Sequence, residues 1–224
     1  MKLKKIASLA LAGIMAVSML AGCKDGAKPE NPGNGENNNP SSSYTDTVLA
    51  ATNAATKTKL SASTNTKLDQ GVAWAARNDR GSNGAAATVL TDIPANWGIV
   101  TLAETYMKGN KLNAYTVDDS WSFSPASLTA GNVSDPITYW TMYYVSSTVS
   151  DEYITNEVAA KLDAWAKDMA NKGEEVTNGN STATWDYTVS VSKANCAGAD
   201  LDTKNDDYII VGIAITVDKT DVNY

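Results

Sequence analysis

The strongest hydrophobic pattern in the chain predicts one long amphipathic helix from residue 151 to about residue 172. Apolar residues recur every three or four positions along it, which places them on one face of a helix. Ser150 is a suitable N-cap, and Gly173 is a suitable C-terminal stop. Burying each apolar side chain contributes roughly 1.5–3 kcal/mol, so we expect this face to lie in the core. The apolar positions are Ile154, Val158, Leu162, Trp165 and Met169.

Three other segments have the patterns of longer β-strands. Residues 184–192 alternate between apolar and polar side chains, which predicts a strand with one solvent-facing side. Residues 137–145 carry aromatic side chains on both faces, and residues 208–217 are apolar on both faces, so both are expected to be inner strands. Shorter strands are expected at residues 86–90 and 113–123.

The chain before these strands is rich in alanine and has weaker helical patterns. Thr45 is expected to cap a short helix that reaches Ala55, and a second helix is expected at residues 66–77. The order of helices, strands, one long helix and two further strands predicts an α+β fold. We expect a largely antiparallel sheet, with the long amphipathic helix packed on one face and the alanine-rich helices N-terminal to it.

Residues 1–22 have the pattern of a bacterial secretion signal. Lysines at positions 2, 4 and 5 precede a short apolar run, and the segment closes with Leu20-Ala21-Gly22-Cys23. This motif resembles the lipobox of bacterial lipoproteins, in which the cysteine receives a diacylglyceryl group and becomes the mature N-terminus. The resemblance implies that Cys23 is lipidated and that the signal peptide is removed.

The chain after the lipobox is predicted to be a flexible linker over residues 23–43. It is dominated by Gly, Pro, Asn and Ser and lacks apolar periodicity, and such a linker has a root-mean-square length of about 25 Å. Residues 44–224 are then expected to form a single domain. The lipoprotein resemblance implies that fatty acyl chains such as palmitate hold this domain at the extracytoplasmic face of the cell membrane.

The composition excludes several classes of function. The net charge is −7, and loss of the three signal lysines makes the mature chain more acidic, so nucleic acid is not an expected partner. The chain has no histidine, which excludes His-based catalytic triads and His-ligated metals. If Cys23 is lipidated, Cys196 is the one remaining cysteine, so neither an intrachain disulfide nor a cysteine zinc site is expected. We expect no cofactor.

One short motif matches a known catalytic pattern by sequence alone. Residues 190–193 read S-V-S-K and match the S-x-x-K motif of penicillin-recognising serine enzymes. Those enzymes place the serine at a helix N-terminus with the lysine one turn later. Alternation along a strand would put Ser190 and Lys193 on opposite faces, so we expect no catalytic pair here.

A second motif concentrates carboxylates in the loop at residues 200–207. Asp200, Asp202 and Asp207 are weak candidates for a calcium site, because Ca²⁺ is bound by closely spaced oxygen ligands. Lys204 stands where an EF-hand loop would place a further oxygen ligand. A solvated acidic loop is therefore the preferred interpretation.

The aromatic composition is unusual, with 6 Trp and 10 Tyr against a single Phe. Trp and Tyr suit surfaces that are half apolar and half wet, such as protein interfaces and sites that stack sugar rings. Trp121, Tyr139 and Tyr143 are the candidate ligand-binding residues, and the last two share one face of a predicted strand.

These observations favour a non-catalytic ligand- or glycan-binding module at the cell surface. The membrane is an expected partner through the N-terminal lipid, and the second partner is a glycan or an envelope protein. One alternative is a structural or interaction subunit of an envelope protein complex. The lower-ranked alternative is a carboxylate-based hydrolase, which requires two acidic side chains roughly 5–10 Å apart in a cleft.

Overall fold

A computed structural model of the chain describes residues 41–78, 87–93, 98–107, 110–111, 136–178, 181–196 and 208–222. The helices in these ranges are α1 (Ser41–Ala51), α2 (Ala54–Lys59), α3 (Thr66–Asn78), α4 (Ile99–Glu104) and α5 (Asp151–Trp165), followed by a 3-10 turn (Ala166–Asp168). The strands are β1 (Leu60–Ala62), β2 (Thr91–Asp92), β3 (Asn110–Lys111), β4 (Ile137–Ser146), β5 (Glu175–Asn178), β6 (Ser181–Cys196) and β7 (Tyr208–Val222). None of the helices in the described ranges has the length and apolar character needed to cross a membrane.

The described strands form one mostly antiparallel sheet of seven strands in the order β1-β6-β7-β4-β2. Long antiparallel ladders join β6 to β7 and β7 to β4, so β7 lies at the centre. Short strands complete the edges: β1 and β5 pair with β6, whereas β2 and β3 pair with β4. Of these, β1 and β3 pair in parallel. The α+β fold with a largely antiparallel sheet, as predicted from the sequence, is confirmed.

Helices cover both faces of this sheet. Helices α1 and α5 pack on one face, which we call the α1/α5 layer, and helices α3 and α4 pack on the other, the α3/α4 layer. The alternation of β6 separates the two cores. Trp185 and Tyr187 point into the α1/α5 layer, whereas Ala194 and Cys196 point into the α3/α4 layer.

The long helix α5 begins where the sequence predicts and buries the predicted face. The Ser150 Oγ accepts a hydrogen bond from the Tyr153 N–H at 3.2 Å, as an N-cap does. All five predicted apolar residues are buried. The α-helix ends at Trp165 rather than near residue 172, because the chain turns and Met169 enters the core from extended backbone.

The N-terminal helices agree only in part with the sequence patterns. Helix α3 matches the expected second helix, but the expected first helix is divided into α1 and α2, with Asn53 capping α2 through a 2.9 Å bond from the Thr56 N–H. The strand expected at residues 86–90 was wrong over residues 87–90, which are irregular. Pairing with β4 begins only at Thr91. The strand expected at residues 113–123 lies outside the described residues.

Thr45 lies inside α1 rather than capping it, and it joins this helix to the sheet. Its Oγ1 accepts a hydrogen bond from the Val191 N–H at 2.8 Å and donates to the Val191 carbonyl at 3.3 Å. The β1 pairing with β6 has ended two residues earlier, at Val189. One buried hydroxyl therefore takes the place of a neighbouring strand and satisfies both backbone groups of Val191.

Candidate functional site

The structure describes two of the three ligand-binding residues predicted from the sequence, Tyr139 and Tyr143. Tyr139 and Tyr143 share the sheet face that carries the α1/α5 layer, as alternation predicts. Tyr143 is only 6% exposed, and the Lys161 Nζ lies 4.4 Å from its ring centroid. Tyr139 is half-buried against the same core. Neither ring is therefore a fully open surface platform. Trp121, Cys23, Asp200, Asp202 and Asp207 lie outside the described residues.

A pair of aromatic rings at the surface comes instead from the α3/α4 layer. Trp74 of α3 is 42% exposed, and Tyr106, just after α4, is half-buried beside it. Their ring centroids are 5.9 Å apart, and their planes meet at 58°. This tilted arrangement lies within the range of favourable aromatic contacts and leaves part of the indole open to solvent.

The two rings meet because α3 and α4 approach each other closely at a glycine. A Cβ added at Gly71 would lie 3.1 Å from the Ala103 carbonyl oxygen and 3.5 Å from the Met107 Cγ. Trp74 and Tyr106 lie three residues after Gly71 and Ala103, one helical turn farther along each segment. A side chain at position 71 would therefore push apart the segments that hold the rings.

The local sequence of α3 caps the helix that carries Trp74. Asn65 caps the helix, because its Oδ1 accepts hydrogen bonds from the Lys67 N–H at 3.2 Å and the Leu68 N–H at 3.1 Å. At the other end, the Asn78 Nδ2 donates to the Trp74 carbonyl at 2.8 Å. The ring is thus presented by a capped helix rather than by a loop.

Sequence reasoning missed Trp74, although the chain carries a signal for it. The apolar stripe of α3 that packs on the sheet contains Leu68, Val72, Ala75 and Ala76. Trp74 lies off that stripe, on the side of the helix that its polar residues occupy. A tryptophan on the polar side of an amphipathic helix is the pattern that indicates an exposed ring. Tyr106 has no comparable signal, because its position depends on the contact between α3 and α4.

A groove of about 280 Å³ lies between α2 and α5, but its polar groups hold the two helices together. Asp163 accepts hydrogen bonds from the Thr56 Oγ1 at 2.6 Å and from the Asn53 N–H at 3.1 Å. The Lys59 Nζ donates to the Ala166 carbonyl at 2.8 Å. Much of the remaining wall is alanine. The groove therefore has a structural explanation and offers little for recognising a ligand.

A charged cluster at the start of α5 also has a structural explanation. The Lys193 Nζ lies 2.7 Å from the Asp151 Oδ1 and 4.7 Å from the centroid of the Tyr44 ring. Burial is the main reason that the pKa of Tyr44 is raised above its ordinary value, which keeps the phenol neutral. These contacts use Lys193 to join β6, α1 and α5.

The cluster also settles the geometry of the S-x-x-K motif. The β6–β7 ladder is regular through this region, so residues of opposite parity face opposite sides of the sheet. Lys193 contacts Tyr44 in the α1/α5 layer, and the buried Ser190 faces the other side. Ser190 and Lys193 therefore lie on opposite faces of β6, as the alternation of a strand predicts.

Within the described ranges, no group of three or more His, Cys, Asp or Glu side chains is placed to hold a metal ion. No family model, curated protein or solved structure matches the chain. The Trp74–Tyr106 pair is the described feature whose exposure and chemistry fit ligand binding best.

Proposed function

We propose that the protein is a lipid-anchored, non-catalytic binding module on the extracytoplasmic face of the cell membrane, which holds a glycan through Trp74 and Tyr106. The observation that supports the binding role is the contact between the exposed indole of Trp74 on α3 and the half-buried phenol of Tyr106 just after α4. The anchoring role is supported by the lipobox-like sequence that ends at Cys23.

The chemistry of the pair favours a sugar ring as the ligand. An aromatic face offers an apolar surface to the C–H groups of a sugar, and the indole N–H and the phenol O–H are polar groups suited to its hydroxyls. The rings are tilted at 58°, so together they form a shallow wedge rather than a flat plate. A wedge of two rings has the size of one or two sugar units.

A protein partner is less well supported by the exposed surface. A stable protein interface buries roughly 800 Å² on each side around an apolar centre. The exposed large hydrophobic residues in the described part of the chain are Trp74, Val89 and Tyr153. They lie on separate elements, and Trp74 and Tyr153 belong to opposite layers of the sheet. The small aromatic pair is better matched to a small ligand.

The binding role is tested by comparing two exposed aromatic residues. The Trp74→Ala variant should lose about tenfold in affinity for immobilised cell-envelope polysaccharide, a change of about 1.4 kcal/mol. Tyr153→Ala is the matched control, since Tyr153 is 37% exposed on α5 in the other layer. Retention is measured by affinity electrophoresis, with circular dichroism to verify the fold. Equal retention of both variants, or no retention of the parent protein by any polysaccharide, would contradict the proposal.

The anchoring role is tested by the two cysteines of the chain. Cells fed a traceable fatty acid should label the parent protein and the Cys196→Ser variant, but not the Cys23→Ser variant. The Cys23→Ser protein should also leave the membrane fraction, because one lost acyl anchor removes about 0.8 kcal/mol for each buried methylene. Label that persists without Cys23 would refute lipidation at this residue.

A further inference from the structure

The exposed ring of Trp74 has the amide of Gln70 as a neighbour on α3. Gln70 lies four residues before Trp74, and both side chains are exposed. Residues at this spacing are neighbours on one side of a helix, with about 5–6 Å between their Cβ atoms. Side chains on a helix lean toward its N-terminal end, so we expect the indole to extend toward the turn that carries Gln70. An uncharged polar group therefore lies beside the exposed ring.

The side-chain amide of Gln70 is suited to binding hydroxyl groups. Its carbonyl oxygen accepts hydrogen bonds and its NH₂ group donates them, whereas a hydroxyl group does both. One amide can therefore bind two adjacent hydroxyls of a sugar, accepting a hydrogen bond from one and donating a hydrogen bond to the other. Because the amide is uncharged, this contact does not require a charged sugar.

A sugar that stacks on Trp74 presents its edge to Gln70. The face of the indole takes the C–H groups of one side of the sugar ring, because both surfaces are apolar. Equatorial hydroxyls project outward around the edge of a pyranose, where a group beside the aromatic ring can reach them. An axial hydroxyl points out of the plane of the sugar, either into the stacked surface or away from it. The two side chains together therefore favour adjacent equatorial hydroxyls.

We infer that the ligand is a neutral glycan chain whose units carry two adjacent equatorial hydroxyls, as in a β-1,4-glucan, and that Gln70 is its specificity-determining residue. The inference rests on the proposed glycan-binding function and adds the configuration of the sugar to it. A glucose unit stacks on Trp74, and its C2 and C3 hydroxyls bind the amide of Gln70. Tyr106 contacts the indole from the α4 side, so polar groups from two segments lie beside the ring.

The experiment uses the full mature chain and two neutral probes that differ only in the configuration at C2. Cellopentaose and mannopentaose are both β-1,4-linked, but the C2 hydroxyl is equatorial in glucose and axial in mannose. Isothermal titration calorimetry should give about three- to tenfold tighter binding of cellopentaose, the range that one hydrogen bond supplies in water. Because neither probe is charged, this preference should stay the same when sodium chloride is raised from about 20 to 500 mM, which screens exposed ionic contacts.

Matched variants separate the role of the amide from the role of the ring. Gln70→Ala should bind the two probes with similar affinity, because it lacks the group that distinguishes the two configurations. Asn156→Ala is the control and should keep the full preference, since Asn156 is an exposed amide on α5 in the α1/α5 layer. Trp74→Ala should weaken binding of both probes, because the ring contacts the sugar in either configuration. Circular dichroism verifies the fold of each variant.

The possible outcomes distinguish this inference from the proposed function. Equal binding of both probes that is lost in Trp74→Ala overturns the inference and leaves the glycan-binding function intact. The same holds if mannopentaose or an anionic oligogalacturonate binds more tightly than cellopentaose. A preference for cellopentaose that persists in Gln70→Ala overturns the role of Gln70. Binding of none of these probes, together with no retention by any polysaccharide in affinity electrophoresis, overturns both the inference and the proposed function.

Discussion

The two helical layers pack on the same three long strands by different means. In the α1/α5 layer the buried cluster includes large side chains of β6, Trp185 and Tyr187, together with Leu162 of α5. In the α3/α4 layer the strands also supply large side chains, such as Trp140 and Tyr208, but Gly212 of β7 leaves room for α3 to come close to the sheet. Both faces therefore bury bulky side chains, and the α3/α4 face also depends on the close approach of α3 to the sheet at Gly212.

Along the central strand β7, large and small side chains alternate between the two faces of the sheet. Ile213 faces the α1/α5 layer, whereas its neighbours Gly212 and Ala214 face α3. A Cβ at Gly212 would lie 2.5 Å from the Val72 Cγ2 and 2.9 Å from the Leu68 Cδ1, so α3 occupies the space that a side chain would need. The comparison teaches that a helix can pack closely on a sheet at a glycine while its outer side carries an exposed ring such as Trp74.

The largest effect is expected when a large side chain is removed from the core of the α1/α5 layer. Trp185→Ala should lower the free energy of unfolding by about 3–5 kcal/mol, because it deletes a fully buried ring and leaves a cavity. Trp185→Phe keeps most of the volume and should cost less than about 1.5 kcal/mol. Urea denaturation of the isolated domain measures both. A loss below about 1 kcal/mol for Trp185→Ala would show that this layer does not depend on bulk.

The reciprocal test adds bulk to the α3/α4 layer. Gly212→Ala should lower the free energy of unfolding by about 1–3 kcal/mol through overpacking against Val72, whose branched side chain has little rotamer freedom in a helix. In the double variant with Val72→Ala the new methyl group has room. Its loss of stability should therefore be smaller than the sum of the two single losses. Additive losses within about 0.5 kcal/mol would contradict the close-approach explanation.

A third test concerns the polar tie between α1 and β6 in the α1/α5 layer. Thr45→Val removes the hydroxyl that bonds both backbone groups of Val191 and should cost about 1–3 kcal/mol, because these groups are left unpaired in the interior. Thr45→Ser keeps the hydroxyl and is the control. Hydrogen exchange at the Val191 amide should accelerate in the valine variant. Equal stability of the two variants would show that the Thr45 hydroxyl does not stabilise the contact between α1 and β6.

The smallest loss of stability is expected at alkaline pH, and it arises from two buried tyrosines of the α1/α5 layer. Burial raises the pKa of Tyr44 and of Tyr187 above the ordinary value of about 10. Between pH 10 and the raised pKa, the unfolded chain has lost a proton that the folded chain keeps, so stability falls as pH rises. The stability that the neutral tyrosines give is fully present below pH 10. Above pH 10, each tyrosine lowers the free energy of unfolding by at most about 1.4 kcal/mol per pH unit. Tyr44→Phe should reduce this slope.

Much of the fold was predictable because local patterns are strong where one face is buried. The Ser150 cap and the apolar face that contains Leu162 follow from spacing alone. The division between α1 and α2 was not predictable, because it depends on Asp163 of the distant α5 accepting hydrogen bonds from Asn53 and Thr56. The end of α5 likewise depends on where the core admits Met169.

For the candidate site, the sequence predicted the residue types but not which of them lie at the surface. The excess of Trp and Tyr over Phe indicated a surface that is half apolar and half wet, but it did not say which rings reach the surface. Tyr143 was an equally good candidate by pattern, and it is covered because α5 places Lys161 over its ring. Tyr106 meets Trp74 because Gly71 lets α3 and α4 come together.

The sequence by itself determined the periodicity of the strands and helices, and with it the two faces of the sheet. Only the tertiary structure decided which helix covers each face and which aromatic ring stays open. Periodicity is a local property, set by 2.0 or 3.6 residues per repeat, and it sorts side chains onto faces. Coverage depends on pairs far apart in the chain, such as Thr45 with Val191 or Val72 with Gly212, and no local repeat encodes them.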